Sequence, residues 1–180
     1  MAIKSTIFKA DLQIADMDRH YYRNHALTLA RHPSENDDRM MIRLLAFALN
    51  ASDAMNFSKG LSTEDEPELW QKNLSGEIDI WIDLGQPDEK RIRKACGRAK
   101  KVLIYAYNHR SAMVWWEQIK NRLTRFNNLS IILIPDESVQ AMGSMAQRGM
   151  QLQYTIQDGD ILMSNGEISA TIAPETLTPN

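Results

Sequence analysis

Glu77-Ile78-Asp79-Ile80-Trp81-Ile82-Asp83-Leu84-Gly85, running on into Gln86-Pro87-Asp88-Glu89-Lys90-Arg91-Ile92-Arg93-Lys94-Ala95, is the stretch on which the fold turns. Its first half alternates strictly, with apolar residues at 78, 80 and 82 and acids at 77, 79 and 83. A period of two is that of a half-buried strand, and it sets Trp81 on the acidic side. Gly85 ends the strand. Pro87 then fits the first turn of a helix, Asp88 and Glu89 suit its positive end, and Gly97 suits its C-terminus. Val102-Leu103-Ile104-Tyr105-Ala106-Tyr107 follows as a continuous apolar run, the pattern of a strand buried on both faces. Strand, helix and buried strand in this order belong to the α/β class.

Upstream, Met40, Leu44, Phe47 and Ala51 recur at helical spacing behind Ser34 as N-cap, which predicts a helix over 35–55. Phe57 to Leu61, closed by Gly60, and Leu69-Trp70 are short strand candidates. Downstream the pattern predicts a helix over 111–126, a second buried strand at Ile131–Ile134 stopped by Pro135, and a helix over 136–148 ending at Gly149. The first thirty residues read as two strands around a polar turn at Asp16-Met17-Asp18. The tail reads as strands at 152–156, 161–163 and 168–172 with turns at Asp158-Gly159 and Asn165-Gly166. The expected order is β-β-α-β-β-β-α-β-α-β-α-β-β-β: one α/β domain over 1–180, with a central mixed sheet from 57–107 and extra strands from both termini.

Composition narrows the function classes. A chain of 180 residues that is 43% hydrophobic and 24% charged is neither disordered, collagen-like nor a disulfide-stapled miniature. The net charge of -2 removes any bulk basic footprint, so nucleic-acid binding has to come from a local patch. A lone cysteine, Cys96, builds no internal disulfide and no Cys-rich zinc site. The start MAIKSTIFKADLQ lacks the apolar core of a signal peptide, and no window has the roughly 18 apolar residues of a membrane span. The cytoplasm is the expected compartment. The methionines at 40, 41, 113, 142 and 145 fall on apolar helical faces and read as core.

Two constellations carry chemistry. Glu68, after Pro67 at a strand edge, and Asp83, at the end of the next strand, offer the fixed oxygen ligands that Mg²⁺ requires. Lys90 and Lys94 share a helix face behind them and suit a nucleophile-orienting or phosphate-neutralising role. The plainer reading is a solvated acidic loop, Thr63 to Glu68, with no basic partner inside it, beside a basic surface helix. The second constellation is the run Gln86 to Lys101, with seven Lys/Arg against two acids, either a phosphate-contacting face or a solvated one. His20, His25, His32 and His109 form no HxH or HExxH pattern, and no GxSxG, Walker or GxGxxG motif occurs. Cys96 reads as core; Trp115 and Trp116 read as packing rather than base-stacking platforms.

Phe57-Ser58-Lys59-Gly60-Leu61-Ser62, Pro67-Glu68-Leu69-Trp70 and, above all, the string from Trp81 to Ala95 resemble the YaeQ family of bacterial proteins, and the likeness extends over essentially the whole chain. The resemblance implies a compact variant of the PD-(D/E)XK, restriction-endonuclease-like fold, with the α-β-β-β-α-β core at 35–107. It implies Mg²⁺ on Glu68, in the first acid's place, and Asp83, in the second's. The pattern departs from the superfamily where Gly85 stands in the lysine's place, with Gln86 next. The lysine is then expected from Lys90 or Lys94 on the helix, or from Lys59 on the neighbouring strand. The resemblance thus nominates Glu68, Asp83, Gln86, Lys90 and Lys59 as catalytic, while the basic run itself nominates Arg91, Arg93 and Lys94 as nucleic-acid contacts. Three readings stay open: a Mg²⁺-dependent nuclease, a nuclease-fold protein that binds without cutting, and a regulatory interaction protein.

Overall fold

The computed structural model describes residues 4–58 and 65–179. In chain order its elements begin with β1 (Thr6–Asp16), β2 (Tyr21–Arg31), α1 (Asp37–Leu49), β3 (Met55–Phe57), β4 (Leu69–Lys72) and β5 (Ile78–Leu84). They continue with α2 (Glu89–Arg98), β6 (Ala99–Ala106), α3 (His109–Ile119), β7 (Leu129–Leu133) and α4 (Asp136–Gly143). The chain closes with β8 (Gly149–Gln157), β9 (Asp160–Ser164), β10 (Ser169–Ile172) and β11 (Glu175–Leu177). The order follows the sequence reading, with β11 added. The chain divides into two compact units, Met1–Leu49 with Glu137–Pro174, and Asn50–Asp136 with Glu175–Asn180. Each has its own mixed sheet, so the terminal strands other than β11 build a second sheet instead of extending the central one.

In the first unit the strand order is β10-β9-β8-β1-β2, with β1 antiparallel to β2 and parallel to β8. Alternation sends Phe8, Ala10, Leu12 and Ile14 inward from β1, and Met150, Leu152, Tyr154 and Ile156 inward from β8. Helix α1 starts later than Ser34 predicts, because Asn36 Oδ1 accepts the Arg39 N–H at 2.9 Å while the Ser34 hydroxyl pairs with His32. It also stops at Leu49, well short of 55, where the chain turns into β3. Every residue from Met40 to Ala48 is buried, so the apolar surface is the whole helix and not one stripe.

The fully buried Tyr154 leaves its hydroxyl without a hydrogen-bond partner among the described residues, and burial pushes its phenol well above the ordinary range. An unmade buried hydrogen bond costs about 1–3 kcal/mol. Tyr154→Phe is therefore expected to raise stability by about 1 kcal/mol in urea unfolding, whereas a loss of stability would reveal a partner for the hydroxyl.

In the second unit the strand order is β11-β7-β6-β5-β4-β3. β5, β6 and β7 run parallel, and β3, β4 and β11 run antiparallel to their neighbours. Trp81, expected on a half-exposed acidic face, is only 1% exposed. Its face carries the core cluster with Ile92, Ala95, Val102 and Ile104. Large aromatic area outweighed the acids flanking it. Helix α2 takes Asp88 as N-cap, with its carboxylate accepting the Arg91 N–H at 2.8 Å, so Pro87 lies just outside the helix and Gly97 inside it. Helix α3 ends at Ile119, its last turn tightening into a 3-10 segment at Lys120–Arg122, instead of running to 126. Helix α4 likewise stops at Gly143 and β8 takes over at Gly149. Strand β3 covers Met55–Phe57, earlier than the strand expected over Phe57 to Leu61: Ser58 already lies outside it, and residues 59–61 are outside the described residues.

Candidate functional site

Strands β4 and β5 place the two acids. The ladder between them opens at Leu69↔Ile82, and the Glu68 N–H donates to Ile82 O at 2.9 Å. Glu68 therefore sits one step beyond the pair, across from Asp83. Both carboxylates are removed from bulk water, Glu68 at 9% and Asp83 at 3% exposure. A buried carboxylate needs a compensating charge, and α2 supplies it. One turn into the helix, Arg91 reaches back to Asp83, Nε to Oδ2 at 2.9 Å and Nη2 to Oδ1 at 2.9 Å. This is the bidentate fork in which guanidinium matches carboxylate geometry. Nη2 also donates to Glu66 O at 2.9 Å. Partial burial pulls the Arg91 pKa down, and the hydrogen bonds and charge of Asp83, aided by Glu68 and Asp88, more than reverse it, leaving it above the ordinary arginine value.

The rest of α2 fastens the acidic segment from outside. Lys94 pairs with Asp65, which holds that exposed carboxyl below its ordinary pKa, and Arg98 donates to Asp65 O at 2.7 Å. The loop with no basic partner inside it thus takes its partners from the next helix. Beneath lies a stack of cations and indoles, with Arg98 5.2 Å and Arg91 5.9 Å from the Trp81 ring and Trp70 edge-on to Trp81 at 6.4 Å. Lys72 lies 3.8 Å from the Trp70 ring.

The other nominated residues separate. Gln86 turns to Ser111 Oγ at 2.7 Å and Tyr107 O at 3.4 Å. Lys90 and Arg93 are exposed, and no ion pair engages either among the described residues. Lys59 lies outside the described residues. Gly85 has φ +86°, a left-handed conformation that L side chains adopt at a cost, so the motif position that lacks its lysine is one where the backbone asks for glycine. Burial pushes the Cys96 thiol up to about 11, away from nucleophilic use. Sequence reasoning missed the role of Arg91. Its signal was an acid at a strand end followed eight residues on by an arginine in the first turn of the next helix.

The model of the YaeQ protein family matches residues 1–174. The chain belongs to the YaeQ family. Its relatives include the uncharacterised YaeQ protein of Salmonella typhi, 49% identical over 165 residues that cover 92% of this chain and 91% of that one. The crystal structure of YaeQ from Xanthomonas axonopodis pv. citri superposes with a TM-score of 0.94 at 46% identity, covering 98% of this chain and 99% of that one. That of YaeQ from Pseudomonas syringae gives 0.92 at 31% identity, covering 98% and 97%.

Against the Mg²⁺ that the YaeQ resemblance implies stands the geometry of the acids. Both oxygens of Asp83 already face guanidinium charge at hydrogen-bond distance, so a divalent cation there would meet a like charge. No group of three or more His, Cys, Asp or Glu gathers among the described residues to compensate. As arranged, the residues present do not fit a resident Mg²⁺.

Proposed function

We propose that this YaeQ-family chain keeps the PD-(D/E)XK-type order of elements, α1-β3-β4-β5-α2-β6 along the chain, and that it binds nucleic acid without cutting it efficiently. The observation that carries this reading is the Arg91–Asp83 fork, which puts an internal cation on the second acid of the motif. Gly85 at the lysine position supports it, since glycine neither orients water nor stabilises charge. Loss of such a transition-state group commonly costs about 10²–10³ in rate. The phosphate backbone would run over the exposed Lys90 and Arg93, while Arg91 and Lys94 hold the protein's own acids. No helix among the described residues is long and apolar enough to cross a membrane, and the reading places the protein in the cytoplasm with its partner.

The alternative, a Mg²⁺-dependent phosphodiesterase, draws on the adjacency of Glu68 and Asp83 across β4 and β5. It requires Arg91 to leave Asp83 and a lysine, Lys90 or Lys59, to come in.

One set of assays decides. Single- and double-stranded DNA and RNA are incubated with Mg²⁺ or Mn²⁺, and binding is followed by anisotropy across a salt series. Binding without cleavage is expected, and charge reversal of Lys90 and Arg93 together should flatten the salt slope by about two contacts. Cleavage abolished by Asp83→Ala would establish the enzyme instead. Absence of binding on every substrate would leave the regulatory reading.

A further inference from the structure

Beyond the acids, where β5 and β6 end, the second unit has a crevice of about 620 Å³. The carboxyl ends of parallel strands are where α/β sheets commonly take their ligands. Two left-handed residues form the exits of the two strands, Gly85 at φ +86° and Asn108 at φ 64°. An asparagine held at positive φ is uncommon enough to merit a reason. Asn108 stands directly before α3, yet its side chain makes no capping hydrogen bond, so its amide is left to the crevice it lines.

The frame is fixed by the protein's own contacts. Gln86 Nε2 donates to Ser111 Oγ at 2.7 Å, Ser111 Oγ donates on to Asn108 O at 3.3 Å, and Trp115 Nε1 donates to Pro87 O at 2.8 Å. Three donors on the lining are not spent in this way, the Arg110 guanidinium and the amides of Asn108 and Gln118. None has a side-chain hydrogen bond or ion pair among the described residues. No carboxylate lines the crevice, so its one formal charge is positive. Val114, 57% exposed, and Trp115 supply an apolar wall.

We infer that this crevice binds the phosphate group of an organic phosphate, with Arg110 as its counter-charge. A guanidinium fork and two amides offer more donors than the two oxygens of a carboxylate use, and they suit the three terminal oxygens of a phosphomonoester. The apolar wall receives the organic part. A free mononucleotide and the terminal phosphate of a polynucleotide share this chemistry. The inference does not depend on the Asp83 arrangement and stands whether or not the chain cuts nucleic acid.

Titration of the full chain with AMP, followed by calorimetry and by amide NMR shifts, tests it. Saturable binding is expected, with shifts at Ser111 and Gln118. Arg110→Ala should weaken it about tenfold or more, the size of one charged hydrogen-bonding partner. Gln118→Glu, which places an acid in the crevice, should weaken it as well. Both residues are exposed, so the variants are expected to fold, which their circular dichroism checks. A short 5′-phosphorylated oligonucleotide that displaces AMP identifies the polymer's end as a source of the phosphate, and one that does not identifies the free ester. No saturable AMP binding, or binding indifferent to both substitutions, overturns the inference. Retained AMP binding in a chain that binds no nucleic acid would sink the proposed function and leave this site intact.

Discussion

Arg91→Met is expected to lower stability by about 3 kcal/mol and, at the same time, to let the site take up a divalent cation. The first effect follows from burial. Asp83 is 4% exposed in its side chain and Arg91 28%, so removing the guanidinium strands a carboxylate in a place with little water. Breaking a buried pair from one side costs about 3–5 kcal/mol, and the partial exposure of Arg91 puts the loss at the lower end. The double variant Asp83→Asn with Arg91→Met should recover most of it, because no charge is then left unpaired. The second effect separates structure from chemistry. Mn²⁺ binding, read by calorimetry, should be undetectable at millimolar metal in the unmodified chain. It should appear in Arg91→Met and vanish again when Asp83 is also changed. Tight Mn²⁺ binding by the unmodified chain would remove the argument that Arg91 occupies the acid pair.

This behaviour was half legible in the sequence. The strand read at 77–83, the helix after it and the buried strand read at 102–107 follow from period and punctuation, which are local properties. The acids at 68 and 83 were legible as candidates because a proline and a strand end fix their positions. The partner of Asp83 was not. Five basic residues lie on α2, and nothing in their spacing says which folds back on the protein and which faces solvent. Burial decided: Arg91 returns to Asp83, Lys94 and Arg98 hold Asp65, and Lys90 and Arg93 stay outside. Trp81 was placed on the acidic face correctly, but that face is the one α2 covers, so polarity misjudged its exposure. Helix ends were read too long at α1, α3 and α4 because apolar residues continue past each helix into the following turn or strand. Strand β11 escaped notice because three residues carry too little pattern.

The first unit contains a second arginine–carboxylate fork, and it supplies the control. Arg43 lies between Ile42 and Leu44 in the all-buried stretch of α1, where a charge stands out against the helix's composition. Its Nε and Nη2 each reach Glu35 at 2.9 Å, Nη2 also donates to Ala30 O at 3.2 Å, and the side chains are 6% and 2% exposed. More deeply buried than Arg91–Asp83, this pair should be the costlier one to break. Arg43→Met is expected to cost about 4 kcal/mol, and the remaining contact from Arg39 to Glu35 at 3.3 Å softens the loss only in part. Replacing Glu35 and Arg43 together by methionine should return most of the stability, since apolar groups of similar volume commonly match a buried ion pair. The two forks are alike in geometry and differ in what they hold. Arg39 stays on Glu35 when Arg43 is removed, so Arg43→Met should gain no Mn²⁺ site while losing more stability than Arg91→Met. Equal gains of Mn²⁺ affinity in both variants would mean that loosened structure, and not the release of Asp83, admits the metal.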